Sequence, residues 1–404
     1  MKPKLIRITT VPISLDKLIE GQLAFMKSYY KVLAVSSSGE TLTQVAKKEG
    51  VRVVPIEMSR AITPFKDIKA VWQLYRLFRK EQPFIVHTHT PKAGIVGMLA
   101  AKLANVPIRL HTVAGMPLLE ATGIKRTILN VVEKLTYSCA TKIYPNSKGL
   151  EQLIIAHNFT KTCKLKVLAN GSSNGINTSH FNPQLYTNTQ KEALKQQLGI
   201  AANDVVFIFV GRLVGDKGIN ELVQAFKELT VNSEQFAMCS EQLTANSQQP
   251  TTKLLLVGSL ETELDPLLPE TLHEIITNKN IISVGYQQDV RPYFAISKVL
   301  VFPSYREGFP NVVLQAGAMG LPSIVSNING CNEIISEGEN GWMIPAKKSI
   351  AIKTAMERVL LDSKLYTKAA GNARRMVQDR FEQQVVWDAI LEEYRLLEEF
   401  VRET

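Results

Sequence analysis

Several features that would point to particular chemistries are scarce or missing. The chain of 404 residues holds four cysteines, Cys139, Cys163, Cys239 and Cys331. They are scattered, make no metal-ligand spacing and fit a reducing cytoplasm better than a disulfide framework. No carboxylate or cysteine falls at a useful spacing beside a histidine, so no metal site is expected. No apolar run reaches the roughly 18 residues of a membrane span. The opening segment LIRITTVPI is broken by Arg7 and reads as a first strand, not as a secretory signal. Two nucleotide-binding glycine patterns are absent. GxxxxGK[ST] does not occur, and VPISLDKLIEG after the first strand carries only Gly21, which argues against an NAD enzyme. No internal repeat of about 20–50 residues is evident. The 23 glycines and 18 prolines are too few for a disordered chain.

What the sequence does have is a normal apolar content, 45%, and enough length for two domains. Net charge is +10 but uneven: residues 1–180 carry 26 Lys/Arg against 10 Asp/Glu, and residues 181–404 carry 21 against 27. A basic half joined to an acidic half suggests one domain facing a polyanion. An anionic membrane surface is favoured, with simple variation in solvated charge as the alternative; nucleic acid is not expected as a partner.

Short apolar runs alternate with helical periodicities along the whole chain. Strands are expected at 4–11, 31–36, 51–55, 84–87, 109–113, 142–145 and 166–168. The first is followed by one helix, Leu15–Lys27, capped by Ser14. The segment Phe65–Glu81 is amphipathic. Ile68, Val71, Trp72, Tyr75 and Phe78 share one side, expected to pack into the core, and Lys66, Lys69, Arg76, Arg79 and Lys80 share the other. Residues 169–190 form a loop and linker. A second half places strands at 204–210, 253–257, 281–284, 299–302 and 321–326. A polar stretch, 230–252, reads as an exposed insertion at the end of a helix Ile219–Leu229. A terminal helix, 381–404, is expected to brace the first half. The pattern predicts an α/β protein of two Rossmann-like parallel-sheet domains, 1–180 and 181–380, facing a cleft.

The chemistry concentrates in two loops of the second half. GRLVGDKG follows the strand DVVFIFV. Gly211 and Gly218 permit tight backbone approach, and Arg212 and Lys217 place two cations in one loop, suited to a diphosphate. The second loop lies in VLVFPSYREGFPNVVLQAGAMGLP. Asn311 there is a candidate cap, and the amides of Gly308, Phe309, Asn311 and Val312 near a helix start favour an anion. Glu307 beside them suggests a neutral hydroxylated group close to that anion, a combination found in a phosphorylated sugar. Gln315 lies eight positions on. In the first half, His87, His89 and Thr90 end one strand and His111 ends another, with hydrogen bonding to hydroxyls or phosphate as their suggested use.

FVGRLVGDKG followed by FPSYREGFPNVVLQAGAMGLP resembles the retaining, nucleotide-sugar-dependent glycosyltransferases of the GT-B fold, family 4. HTHTPKAGIVG, HTVAG and NSKG are similar to the subgroup that builds capsule, O-antigen and lipid-linked oligosaccharides. The likeness covers nearly all of residues 4–375. It implies that Arg212 and Lys217 match the basic pair on the donor diphosphate, that Glu307 is the first acid of an EX7E signature reaching the donor sugar, and that His111 lies near the reacting sugar. The second acid position falls on Gln315, which can accept and donate toward ribose hydroxyls but carries no charge. The resemblance further implies no bound metal, no cofactor beyond the nucleotide-sugar substrate, and no protein nucleophile. The implied enzyme moves a hexose or N-acetylhexosamine, from a UDP-linked donor, to a lipid-linked or polysaccharide precursor at the inner face of the cytoplasmic membrane. Alternatives are a GT-B nucleotide-sugar epimerase or inverting transferase, and a non-catalytic nucleotide-sugar or membrane-binding protein of the same fold.

Overall fold

The computed structural model describes all residues except 1, 60, 117, 119, 120, 240–250, 264 and 404. It divides into two units, residues 1–175 with 383–404, and residues 176–382. Each unit is built on one six-stranded parallel sheet. In the first, β1 (Lys4–Ile8), β2 (Lys31–Ser36), β3 (Arg52–Pro55), β4 (Ile85–Thr88), β5 (Ile108–Val113) and β6 (Lys142–Pro145) are ordered 3-2-1-4-5-6. The second contains β7 (Val205–Val210), β8 (Thr252–Val257), β9 (Ile281–Ser283), β10 (Val299–Phe302), β11 (Ser323–Ser326) and β12 (Gly341–Ile344), ordered 12-11-10-7-8-9. The two orders are the same when each unit is counted from its own first strand. In both, the order reverses between the first and fourth strands, β1/β4 and β7/β10. At such a point neighbouring loops diverge beyond the strand ends and leave room for a ligand.

Parallel strands need crossovers, so both faces of each sheet are covered and the strands read as nearly continuous apolar runs. In the first unit, Ile6, Ile8, Val86 and Ile143 pack against the helices Pro64–Glu81 and Pro91–Leu103. Leu5, Ile85, Leu110 and Tyr144 face the opposite way, toward the early helices and Val386, Ile390 and Tyr394 of the terminal helix Gln383–Glu403. Small residues bring Pro91–Leu103 close: a Cβ on Gly94 would lie 2.5 Å from the His111 ring, and one on Gly97 2.7 Å from Thr88. The second unit has one continuous core, from Phe207 and Phe209 through Leu300 and Val313 to Phe381.

Several local expectations are corrected. The first helix is two, Pro12–Leu18 and Gln22–Lys27, interrupted at Gly21, whose φ of 77° is left-handed. Ser14 lies inside the first of them and caps nothing. Residues 166–168 form no strand; Leu165 makes only an isolated bridge to Ile143. The helix after β7 runs from Ile219 to Cys239, beyond Leu229, so it takes up the start of the polar stretch 230–252, of which 240–250 lie outside the described residues. A break at Glu382, extended at ψ 140°, separates Ser363–Phe381 from the terminal helix. The strand β12 was not anticipated. The aromatic side of Pro64–Glu81 is only partly in the core: Phe78 is buried beside Ala70 and Leu74, and Val71 and Tyr75 pack against the core, whereas Ile68 and Trp72, with Phe65, are exposed.

Candidate active site

The loops after β7 and β10 leave the same end of the second sheet on adjacent strands. Gly211–Val214 leads into a single tight turn, Gly215–Lys217, which ends at Gly218 with φ 72° before the helix Ile219–Cys239 begins. Glycine is required at 218 for two reasons. The backbone is left-handed there, and a Cβ would sit 2.2 Å from the carbonyl oxygen of Pro303, at the end of β10. The two loops are therefore in backbone contact. They are stitched further by the amide of Tyr305, which donates to the carbonyl of Asp216 at 2.9 Å, and by Arg306, whose guanidinium meets the Asp216 carboxylate at 2.8 Å.

This contact brings two of the singled-out residues together. Lys217 Nζ lies 2.5 Å from Glu307 Oε1, with both side chains 17% exposed. Ser304, fully buried, donates to the same oxygen at 2.9 Å. Both partners of the carboxylate are thus on Oε1, and Oε2 has no partner among the described residues. Asn329 holds the backbone on the other side through bonds to the carbonyls of Glu307 at 3.0 Å and Gly308 at 2.8 Å. Gly330, next to it, approaches so closely that a Cβ would be 2.4 Å from the Gly308 carbonyl oxygen. Behind the pair lies buried Cys331, its thiol pushed well up by burial and secondarily by the Glu307 charge.

The remaining residues are placed as follows. Arg212 does not join the Lys217–Glu307 pair; its guanidinium meets Glu261 at 2.9 Å on the surface. Asn311 is not a cap. Pro310 holds the N-cap position and Asn311 is the exposed first residue of the helix Asn311–Ala318. The amides of Asn311 and Val312 belong to the first turn, which has no intrahelical acceptors. Phe309 turns its ring into the core, 5.4 Å from that of Phe381, so only its backbone is offered. Gln315, one turn further, is half-buried. Asp265 was not anticipated. It accepts from the amide of Asp216 at 2.5 Å and its carbonyl accepts from Gly215, which holds the lysine turn in shape. Asn329, Gly330 and Asp265 lie outside the two quoted loops, and Ser304 lies inside the second with nothing in its spacing to single it out; only their neighbours in space give them a role.

In the first unit the β1 and β4 loops also meet, through the hydroxyls of Thr10 and Thr90 at 2.6 Å. His111 is buried, with Nδ1 2.8 Å from the Thr88 hydroxyl, and burial lowers its pKa to about 4, so the ring is neutral. Its Nε2 has no hydrogen bond among the described residues. His87 is fully engaged, Nδ1 with the Tyr394 hydroxyl at 2.5 Å and Nε2 with Thr112 at 2.7 Å. His89 lies against His87 with centroids 4.2 Å apart and the rings tilted by 33°, and neither of its ring nitrogens has a partner. Among the described residues no group of His, Cys, Asp and Glu is arranged to hold a metal ion.

Sequence comparison puts this geometry in a family. The description of the group 1 glycosyl transferases matches residues 190–376, and that of the glycosyl transferase 4-like domain matches residues 25–171. A Staphylococcus aureus capsular polysaccharide biosynthesis glycosyltransferase, CapM, is 35% identical over 96% of this chain and 95% of its own. The chain belongs to the GT-B glycosyltransferases. An Escherichia coli UDP-Gal:α-D-GlcNAc-diphosphoundecaprenol α-1,3-galactosyltransferase is 30% identical to this glycosyltransferase over 80% of the chain and 78% of its own. Its fold is also that of Anabaena HepE, solved in complex with UDP and glucose: TM-score 0.78, 17% identity, covering 97% of this chain and 99% of that one. The matches to the two family descriptions fall on opposite sides of residue 176, so each unit carries its own.

Proposed function

We propose that this glycosyltransferase moves a hexose or N-acetylhexosamine, with retention, from a UDP-linked donor to a lipid-linked or polysaccharide precursor, as a family 4 member. The observation that carries the reading is the Lys217–Glu307 pair with its free carboxylate oxygen. A diphosphate beside Lys217 shares that cation, because an ammonium has three donors and Glu307 takes one. The amides at the start of Asn311–Ala318 add further donors. Glu307 Oε2 is left to accept a hydroxyl of the donor sugar. In the transfer, the bond between the anomeric carbon and the diphosphate oxygen breaks while charge grows on the leaving group. Fixed donors stabilise that charge without reorganising. The acceptor oxygen bonds to the anomeric carbon on the same face, and its proton passes to the departing phosphate oxygen. Arg212 is assigned to the diphosphate after exchanging Glu261 for it, and Gln315 to the ribose. His111, neutral and with Nε2 unused, is assigned to a sugar hydroxyl.

On this reading residues 181–380 hold the nucleotide-sugar and residues 1–180 the acceptor side. The E. coli relative, whose name specifies a UDP-linked donor and a diphosphoundecaprenol-linked acceptor, supports the choice of a UDP-linked donor and a lipid-linked acceptor. The excess of Lys and Arg in residues 1–180 supports a peripheral location on an anionic membrane surface. The test is incubation with UDP-, GDP- and ADP-sugars and a short lipid-diphosphate-sugar acceptor, reading released nucleotide and product anomer. Glu307→Ala and Lys217→Ala each cut transfer at least ~100-fold, a loss typical of one transition-state contact. Near-normal turnover in both overturns the reading, and an inverted product overturns retention.

A further inference from the structure

The helices Pro64–Glu81, Pro91–Leu103 and Gly123–Cys139 lie side by side over one face of the first sheet, the middle one touching both others. Their inner sides supply Leu74, Phe78, Val96 and Tyr137 to the core. Their outer sides are unusual. Phe65 is 90% exposed, Ile68 67% and Trp72 57% on the first helix; Ile124 is 82% exposed and Val131 60% on the third. Both sets begin in the first turn of their helices, which in a parallel βα layer is the end where the strands finish. Isolated exposed apolar residues need no explanation, but two rows on the outer helices of one layer, flanking Pro91–Leu103, do.

The charge around them has one sign. The three helices contain ten Lys and Arg, including Lys66, Lys69 and Lys125, and only three carboxylates, Asp67, Glu81 and Glu133. None of the three is exposed. Asp67 is paired with Lys92, Glu81 with Lys4 and Arg52, and Glu133 is buried. The face is therefore apolar side chains set among uncompensated cations. A water-soluble protein partner gains little from so many like charges, whereas an anionic lipid surface offers phosphates to the cations and a hydrocarbon boundary to the apolar tips. No described helix is long and apolar enough to cross a membrane, so the contact is with one leaflet.

We propose that this three-helix layer inserts into the headgroup region of an anionic bilayer, with Phe65, Ile68, Trp72 and Ile124 entering the acyl boundary and Lys66, Lys69 and Lys125 on the phosphates. The proposal gives the membrane contact of the preceding section a location and an apolar component, and it is tested apart from sugar transfer. The full chain is floated with phosphatidylglycerol-containing and with pure phosphatidylcholine vesicles, without donor or acceptor. It associates with the first and not the second. Part of the binding survives ~0.5 M salt, where screening shortens the reach of charges to about 4 Å. Phe65→Ser/Ile68→Ser/Ile124→Ser lowers the partition coefficient at least ~100-fold with an unchanged melting temperature, because these side chains are already in water. Brominated acyl chains quench the wild-type emission, and Trp72→Phe removes that quenching. Equal binding by the triple variant, complete release by salt, or a triple variant that dissociates a soluble dimer overturns the proposal. Turnover of a water-soluble acceptor by the wild-type chain, measured in parallel, separates the two readings: a wild-type chain that turns over but does not bind the anionic vesicles refutes this surface alone, and one that binds them without turnover refutes the transferase reading alone.

Discussion

The first unit carries an acid-sensitive core, and His89→Leu isolates one part of it. His87, His89 and His111 are all buried, and burial is the largest cause of the lowered pKa in each. The sign follows from which state takes up protons. The unfolded chain protonates these rings near 6.5 and the folded unit resists, so their stability is fully present above that value and is lost as pH falls. For His111, lowered from 6.5 to about 4, the loss on moving from pH 8 to pH 5 is about 2 kcal/mol. His87 and His89 are lowered in the same direction, chiefly by burial, and each adds at most ~2 kcal/mol, the limit set by the interval between the unfolded value and pH 5. Together at most about 6 kcal/mol is at stake, against a typical total of roughly 5–15.

His89 differs from the other two because neither ring nitrogen has a partner. Leucine there removes two unsatisfied groups, each costing ~1–3 kcal/mol when buried, and gives up the ring contact with His87. At pH 8 His89→Leu is therefore neutral or stabilising. The loss between pH 8 and pH 5 shrinks by at most ~2 kcal/mol, which is up to about 4–8 °C in melting temperature for a unit of this size. The assay is thermal melting at the two pH values, with Trp387 fluorescence as a reporter inside the unit, where the indole donates to Asn174 at 2.7 Å. A variant that is clearly less stable at pH 8 and just as acid-sensitive refutes the reasoning. It would mean that the His89 ring is hydrogen-bonded or charged in the folded state.

Tyr394→Phe strands Arg7 Nη1, 2.7 Å from that hydroxyl, and His87 Nδ1 together, so a loss of about 3 kcal/mol is expected in denaturant unfolding. Gly218→Ala meets both a φ of 72° and the Pro303 carbonyl, and lowers stability by at least ~2 kcal/mol while displacing Lys217; calorimetry reads the first and sugar transfer the second. Ser304→Ala removes one of two bonds to Glu307 Oε1. It lowers kcat about tenfold with little change in donor KM, the pattern expected when a carboxylate loses orientation but not charge.

The alternation of strand and helix was readable because parallel strands buried on both faces are short apolar runs, and the chain has little else of that kind. The failures have local causes. β12, GWMI, is four residues long and follows the polar, glycine-bearing segment EGEN, so periodicity had no window to work in. The early helix split at Gly21, where a Cβ would also strike Trp387 at 2.7 Å, a constraint set some 360 residues away in sequence. On Pro64–Glu81 the apolar residues make two overlapping rows, and spacing alone does not say which faces the sheet. Ala70 lies in the buried row because a small side chain lets the helix sit close, while bulky Trp72 stays outside. At the site, the residues with motifs could be named but not their partners. Lys217 and Glu307 are 90 positions apart, and their contact depends on β7 and β10 being neighbours, which no spacing encodes. Arg212 and Lys217 looked equivalent in one loop. The tight turn between them, held by Asp265, sends one to the surface and the other beneath Glu307.

The two switch points share a strand order but not a chemistry, and that contrast bears on how work divides between the units under the proposed reading. After β1 and β4 the meeting groups are hydroxyls, Thr10 and Thr90, and the nearby histidines are neutral. Such a place can bond to sugar hydroxyls, and its nearby cations are already committed, the buried Arg7 to Tyr394 and Gln22 and Lys92 to Asp67. After β7 and β10 the meeting groups are an ammonium and a carboxylate with one oxygen unspent. A leaving diphosphate needs a cation whose position does not change as its charge grows, and Lys217 is held by Glu307 before any substrate arrives. The same carboxylate that positions the lysine is the one left to read the donor sugar. Glu307→Gln is therefore more damaging than the loss of one hydroxyl contact predicts, because it also releases the lysine. Retention of more than about a tenth of wild-type transfer in Glu307→Gln would show that the lysine is placed by something else.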